Sequence, residues 1–347
     1  MHLNWLTKVL SATTIQLPGL AMSIAATPER VRSAIGWLFQ VCPRTDAQPD
    51  LSVEAIGVSA EQVDDHLPSW VRDGFTIDPS TTLPVMISGP DSDSAAIGSF
   101  DGLLFCAWEE SINRKIKLVC GIRNGAPTRS IIPSVLFPVL RDVLLKRELL
   151  LLHSAAVRSP DGRGLLFIAV SGGGKTTTNL AMVRRGAKLV SDDLVVVDLH
   201  SNTAQAGGIP KPLNLREGTI SFFNELRNLA AASDRSPGRV SVSPQAVYGN
   251  GCLLASCPID VLYFLEFSKG LPSARRLGLS EGLSRLIHSH MFASMQNTRG
   301  DSILSLCELL GRTNAYQLKT GDCPEGLGEW LLDNSLRHAT EPNSSPS

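Results

Sequence analysis

Six consecutive residues, Ser171-Gly172-Gly173-Gly174-Lys175-Thr176, have the types and order needed to hold a chain of phosphates. Phosphates need several donors converging on them without side-chain obstruction. A turn from a strand into a helix supplies backbone N–H groups, and the helix N-terminus adds about half a positive charge. The three glycines let the backbone approach closely and take dihedral angles closed to other residues. Lys175 has the reach to contact β and γ phosphates, and the Thr176 hydroxyl is placed to ligate Mg²⁺. Thr177, the next residue, completes the expected nucleotide-binding set. The full phosphate-loop pattern has glycine where this chain has Ala169; the remainder is intact. The prediction is a site for a nucleoside triphosphate, ATP, with Mg²⁺.

Two further groups could do chemistry beside it. Asp192-Asp193 lies sixteen residues beyond Thr176, at the end of an apolar run. In nucleotide folds such a position faces the phosphates. One carboxylate could hold Mg²⁺, with Asp192 and Thr176 as the metal candidates, and the other could accept a proton from an attacking hydroxyl. Neighbouring strand residues point to opposite faces, so both reach the site only if the backbone is irregular there. The plainer alternative is an acidic turn between Val190 and Leu194. His153 is expected on the strand before the loop strand, joined to it by the turn Pro160-Asp161-Gly162-Arg163-Gly164. Hairpin pairing would bring it to the phosphate end. A histidine hydrogen-bonded at a sheet edge is the alternative.

The elements that must position these groups follow from apolar periodicity. Leu150 to Arg158 and Leu165 to Val170 are predicted strands, and a helix runs from Thr176 to about Arg185 with Gly186 at its C′ position. Lys188 to Val190 and Leu194 to Leu199 are strands on either side of the acidic pair, and Val261 to Phe267 is another. Leu279 to Met295 and Ser302 to Leu310 are predicted helices. Upstream, Val31 to Phe39 is an amphipathic helix. Leu83 to Ser88, Leu103 to Trp108 and Ile116 to Ile122 are strands separated by turn residues. Ile131 to Leu151 carries apolar residues at helical spacing and leads into the second domain. The expected organisation is a mixed α/β N-terminal domain over residues 1–130, with no chemical motif. A nucleotide-binding domain follows over 131–336, and a disordered Pro- and Ser-rich tail over 337–347.

Composition narrows the function classes. The chain has 347 residues, 43% hydrophobic and 19% charged, which suits two packed domains rather than a disordered chain. A net charge of −1 gives no electrostatic case for nucleic acid or an anionic membrane as partner. Seven scattered cysteines without a CxxC pair argue against zinc and suit a reducing compartment. No apolar run reaches the ~18 residues of a membrane span. The segment 1–26 is interrupted by polar residues and is expected to be part of the fold, in a cytoplasmic protein. His288-Ser289-His290, two positions apart on a helix, does not make a metal site. Arg275-Arg276 and Arg184-Arg185 are expected to be solvated charge, and Arg312 to complement a helix end.

The ordered set His153, Ala169 to Thr176, Arg185-Gly186, Leu189-Val190-Ser191-Asp192-Asp193 resembles the HPr serine kinase/phosphorylase family, and within it the HPr-kinase-related proteins of peptide-modification clusters. The loop is also similar to that of phosphoenolpyruvate carboxykinase, which shares the nucleotide fold. The resemblance implies an α/β P-loop kinase domain of the HPr kinase/phosphoenolpyruvate carboxykinase type. It implies Asp193 as the base on a substrate hydroxyl, His153 assisting near the γ-phosphate, and Lys175 and Thr176 holding ATP and Mg²⁺. Pro210-Lys211-Pro212-Leu213-Asn214-Leu215-Arg216 matches a downstream segment of these kinases, with Lys211 and Arg216 as candidates for phosphate or substrate contact. The family commonly has glutamate at Thr177 and glycine at Ser154, and its Gly-rich C-terminal signature is not found. These departures leave nucleotide binding standing and weigh against HPr as substrate and against phosphorylase activity.

The implied function is transfer of the γ-phosphoryl group to a Ser or Thr hydroxyl of a peptide or protein. The competing readings are a metabolite or amino-acid kinase of the same fold and a non-catalytic nucleotide-binding regulator. Whether the protein forms a homo-oligomer is left open.

Overall fold

The computed structural model describes residues 12–17, 19–39, 42, 44–73, 84–100, 103–122, 128–209, 212–227, 235–236, 239–289 and 300–341. The chain divides into two compact units, Met1–Lys146 and Arg147–Ser347.

The first unit is built on a seven-stranded sheet. Its strands run in the order Thr13–Leu17, Leu20–Thr27, Leu51–Val58, Lys115–Gly121, Leu103–Glu110, Ser94–Phe100 and Val85–Ser88. Alternation of buried and half-buried residues along Leu51–Val58 is the pattern of a strand with one face on the core. Helices Glu29–Leu38 and Thr128–Leu145 pack on this sheet. Val135, Leu136, Val139, Leu140 and Val143 of the second helix are fully buried. That apolar stripe covers strands Ser94–Phe100 and Leu103–Glu110, so the helix belongs to the first unit. The division therefore falls at 146/147 rather than at 130/131; the helix ends at Leu145 and the next strand begins at Leu149.

In the second unit we label strands β1 (Leu149–Leu152), β2 (Ser154–Arg158) and β3 (Gly164–Ile168), helix α1 (Lys175–Arg184), and strands β4 (Lys188–Ser191), β5 (Val195–Asp198), β6 (Gln205–Gly208) and β7 (Leu213–Arg216). Then come helix α2 (Glu217–Phe222), β8 (Arg239–Val242), β9 (Ser256–Pro258), β10 (Val261–Glu266), β11 (Ser273–Arg276), α3 (Leu279–Ser289), α4 (Gly300–Arg312), β12 (Asn314–Lys319) and α5 (Pro324–Thr340). The main sheet has the order β4-β2-β3-β10-β12-β11, with β3, β10 and β12 parallel. A second, antiparallel sheet has the order β9-β6-β5-β1. In a third, β8 is central and pairs with β7 on one side and with Arg235–Ser236 on the other.

The core of the main sheet joins Val157, Leu165, Phe167 and Tyr263 to Leu180 and Met182 of α1 and Leu327 and Leu331 of α5. Helix α5 was not expected from sequence. Its His338 is buried, with Nδ1 2.8 Å from the Tyr263 hydroxyl, so residues 337–340 are packed helix rather than tail. Residues 342–347 of that predicted tail, and 290–295 of the predicted helix after Leu279, lie outside the described residues.

The predicted single strand from Leu150 to Arg158 is two strands in two different sheets. β1 pairs with β5, and β2 pairs with β3 and β4. The chain changes sheet at His153. It changes back between β4 and β5, across Asp192-Asp193. Both candidate catalytic groups therefore occupy the bends where one sheet hands over to the other.

Candidate active site

The loop between β3 and α1 has the geometry its sequence predicts. Gly172 and Gly174 stand at φ 84° and 91°, in the region that favours glycine. A Cβ on Gly173 would lie 2.7 Å from the Ala169 side chain and 3.1 Å from the Val170 carbonyl oxygen. The loop is thus closed to larger residues by the compactness of its own turn. Its N–H groups and those of the first turn of α1 have no acceptor within the helix. Lys175 is buried, and its Nζ donates to the Ala169 carbonyl at 2.6 Å.

Thr176 and Asn179 lie three positions apart on α1 and so share one face. The Thr176 hydroxyl donates to Asp192 Oδ2 at 2.7 Å, and Asn179 Nδ2 donates to Asp192 Oδ1 at 2.9 Å. Asn179 also donates to the Ser191 carbonyl at 3.0 Å, which pins the bend to the helix. Asp193 turns the other way, with Oδ1 3.1 Å from His153 Nε2. The irregular backbone needed for two adjacent carboxylates to face one site is supplied by the sheet crossover and by a register shift between Leu189 and Ser191. His153 comes from a bend beside the loop, because the β2–β3 hairpin sets Ser154 opposite Ile168. It is not a strand residue, and the bend frees its side chain from the sheet face.

These groups line one hollow of about 200 Å³. Its walls include His153, Ser171, Gly172, Gly174, Lys175, Thr176, Thr177, Asp192 and Asp193, together with Pro212, Asn214, Arg216 and Thr219 from β7 and its flanks. The Arg216 guanidinium approaches Gly172 so closely that a Cβ there would sit 2.8 Å from Nη1. Thr177 and Thr219 hydroxyls are 3.1 Å apart and tie α1 to α2. Lys211 lies outside the described residues. Asn179, Asn214 and Thr219 were not singled out from sequence. The spacing of Asn179 from Thr176 on one helix face was the available signal.

The charges here are mutually strained. Burial, with Asp193 alongside, pushes the Asp192 carboxyl up to about 7 against the pull of its Thr176 and Asn179 hydrogen bonds. Burial also pushes the Lys175 ammonium below its ordinary value, although both aspartates oppose this. A divalent cation at Asp192 and a polyanion at Lys175 would each restore the charged form. Mg²⁺ keeps several waters and needs few protein oxygens, so the adjacent Thr176 hydroxyl and Asp192 carboxylate suit it. The glycine loop, Lys175 and Arg216 suit the polyphosphate.

The other sequence-level candidates do not join this site. Arg184 pairs with Glu225 and Glu325, Arg185 with Glu329, and Arg275 with Glu281. Arg312 donates to the carbonyls of Leu199 and Ser201, each at 2.6 Å. His288 Nδ1 lies 2.6 Å from the Ser284 carbonyl, and His290 lies outside the described residues. Among the described residues no helix is long and apolar enough to cross a membrane.

No family model matches the chain. Curated relatives do. An HPr kinase/phosphorylase of Bacillus pumilus is 29% identical over 126 residues, 36% of this chain and 35% of the relative. One of Caldicellulosiruptor bescii is 30% identical over 120 residues, 35% and 33% of the two chains. One of Bacillus subtilis is 26% identical over 130 residues, 38% and 36%. Over this stretch the chain is similar to HPr kinase/phosphorylases. It spans about a third of the length of these curated relatives. The HPr(Ser) kinase/phosphatase of Coxiella burnetii is 12% identical, covering 54% of this chain and 95% of that one, at a TM-score of 0.29 that does not bear on the fold. The curated relatives are enzymes by name.

Proposed function

We propose that the protein is an ATP-dependent kinase that transfers the γ-phosphoryl group to a Ser or Thr hydroxyl of a peptide or protein. The observation that carries this reading is the His153–Asp193 pair, 3.1 Å apart, opening into the same hollow as Lys175 and Thr176. A phosphate loop alone needs only to bind. A carboxylate held by an imidazole at the loop's phosphate end adds the group that hydroxyl-directed transfer requires.

The loop amides, Lys175 and Arg216 take up charge on the β and γ phosphates and hold them in line. Thr176 and Asp192 hold Mg²⁺, which supplies neutralising charge at the phosphate oxygens when bound. Asp193 is aligned by His153 and accepts the proton of the acceptor hydroxyl as its oxygen bonds to phosphorus. The β–γ bridging oxygen leaves with its electron pair, as ADP. Asp193, not Asp192, takes this role because both oxygens of Asp192 are committed to Thr176 and Asn179.

Incubation with γ-phosphate-radiolabelled ATP and a Ser/Thr peptide library, beside a panel of free amino acids and hydroxylated metabolites, tests this. Label on peptides is expected. Label only on a metabolite would move the acceptor class. Tight ATP binding with no label anywhere would favour a nucleotide-binding regulator.

A further inference from the structure

A second hollow of about 200 Å³ opens on the other side of the glycine loop. It shares Gly172, Gly174 and Thr177 with the first, so the two are continuous along the loop backbone. Their linings differ in kind. The first is walled by His153, Asp192, Asp193, Lys175 and Arg216. The second is walled by Phe222, Phe267, Pro324 and Leu327, with Thr320, Gly321 and Asp322 beside them. Phe222 and Phe267 are 49% and 69% exposed, large aromatic residues turned outward beside a loop built for phosphates.

Neither aromatic is there by accident of a loose loop. Phe222 ends α2, whose next residue, Phe223, is fully buried and lies under the Arg184 guanidinium. Phe267 directly follows β10. The Thr320 N–H donates to the Glu266 carbonyl at 3.0 Å, and the Gly321 N–H donates to Ser268 Oγ at 3.2 Å. These bonds clamp the segment after β10 to the segment after β12. A Cβ on Gly321 would sit 2.5 Å from the Gly270 carbonyl oxygen, so the two segments are in backbone contact.

We propose that this hollow is the nucleobase subsite, in which the base of the bound nucleotide packs against Phe222 and Phe267. The inference rests on the phosphate-loop reading above and gives the nucleotide a direction. Its γ end lies at His153 and Asp193, its phosphates run over Gly172 to Gly174, and its base reaches the aromatic side. Flat apolar faces next to a polyanion site match a base, whose ring is apolar above and below and polar at its edge. Asp322, at the rim, offers an acceptor to an exocyclic amino group. Base–aromatic stacking accounts for affinity of the size that alanine substitution detects.

The test measures binding of Mg·ATP and of inorganic tripolyphosphate by calorimetry to the full chain and to Phe222→Ser and Phe267→Ser. Both positions are exposed, so folding is retained. Circular dichroism and melting temperature check that directly. The wild type is expected to bind ATP more tightly than tripolyphosphate. Each variant is expected to lose about tenfold in ATP affinity while binding tripolyphosphate as the wild type does. Unchanged ATP affinity in both variants, or equal losses for ATP and tripolyphosphate, would overturn the subsite. If the wild type binds neither ligand, the phosphate-loop reading fails, and this inference fails with it.

Discussion

The first unit and the loop end of the second arrange their charges in opposite ways. In the first unit, charges close on partners of opposite sign. Glu109 meets Lys146 at 2.5 Å, Lys115 meets Glu54 at 2.5 Å, and Lys117 meets Glu110 at 2.7 Å. Burial alone would raise Glu110, yet its bond to Lys117 holds it below its ordinary value. At the loop end of the second unit, two carboxylates stand side by side and a buried lysine turns to a backbone carbonyl. The resulting shifts run toward the neutral forms, with Asp192 up and Lys175 down. The first arrangement is complete in itself. In the proposed function the second is completed by charges from outside, a cation for the aspartates and an anion for the lysine. Structural charge and functional charge separate by that difference, and each can be disturbed without the other.

The largest effect is expected at Asp193. Asp193→Asn keeps the size of the side chain but removes the proton acceptor, so turnover should fall by about 10²–10⁴-fold while ATP affinity changes little. Kinetics and calorimetry on the same preparation separate the two. Next, Lys175→Ala should lower the rate by about 10²–10³-fold, because a preorganised cation is lost where phosphate charge develops. Here ATP affinity should fall as well.

Asp192→Asn tests the strain itself. The folded value of about 7 stands above the ordinary 3.8, so the folded chain holds a proton the unfolded chain has released. Stability from that proton is complete below about pH 4 and is lost as pH rises through about 7. Without Mg²⁺, Asp192→Asn should therefore melt about 2–4 °C above the wild type at pH 8, with no advantage near pH 4. The same variant should gain nothing from added Mg²⁺. A lower melting temperature at pH 8 would contradict the account of this group. The smallest effect on the site is expected from the first unit. Glu109→Ala should cost about 1–2 kcal/mol of stability by leaving Lys146 without its carboxylate, with ATP affinity unchanged.

The same division governs what the sequence discloses. The phosphate loop is legible because its chemistry is local: Ser171 to Thr176 carry their donors, their glycines and their helix start in one short run. Asp192-Asp193 and His153 are legible as residue types near the loop, but their meeting depends on two sheets. Nothing in the apolar run from Leu149 to Val157 marks the change of sheet at His153, since both strands are buried on both faces and read as one. Helix Thr128–Leu145 is legible as a helix, but the side it packs on is set by a tertiary contact, which moved the boundary. β12 is missed because Asn314–Lys319 is short and mixes polar with apolar residues. α5 is missed because Gly326 and Gly328 interrupt its pattern. The aromatic hollow is not legible at all, because Phe222, Phe267 and Leu327 meet only in the fold.

The most direct test of the central claim is a paired measurement on wild type and Asp193→Asn: Mg·ATP affinity, and transfer from γ-phosphate-radiolabelled ATP to a Ser/Thr peptide library. Equal ATP affinity within about threefold, labelled peptide with the wild type, and loss of at least about 10²-fold in labelling with the variant are expected. Full labelling by Asp193→Asn, or failure of the wild type to bind Mg·ATP, would contradict that claim.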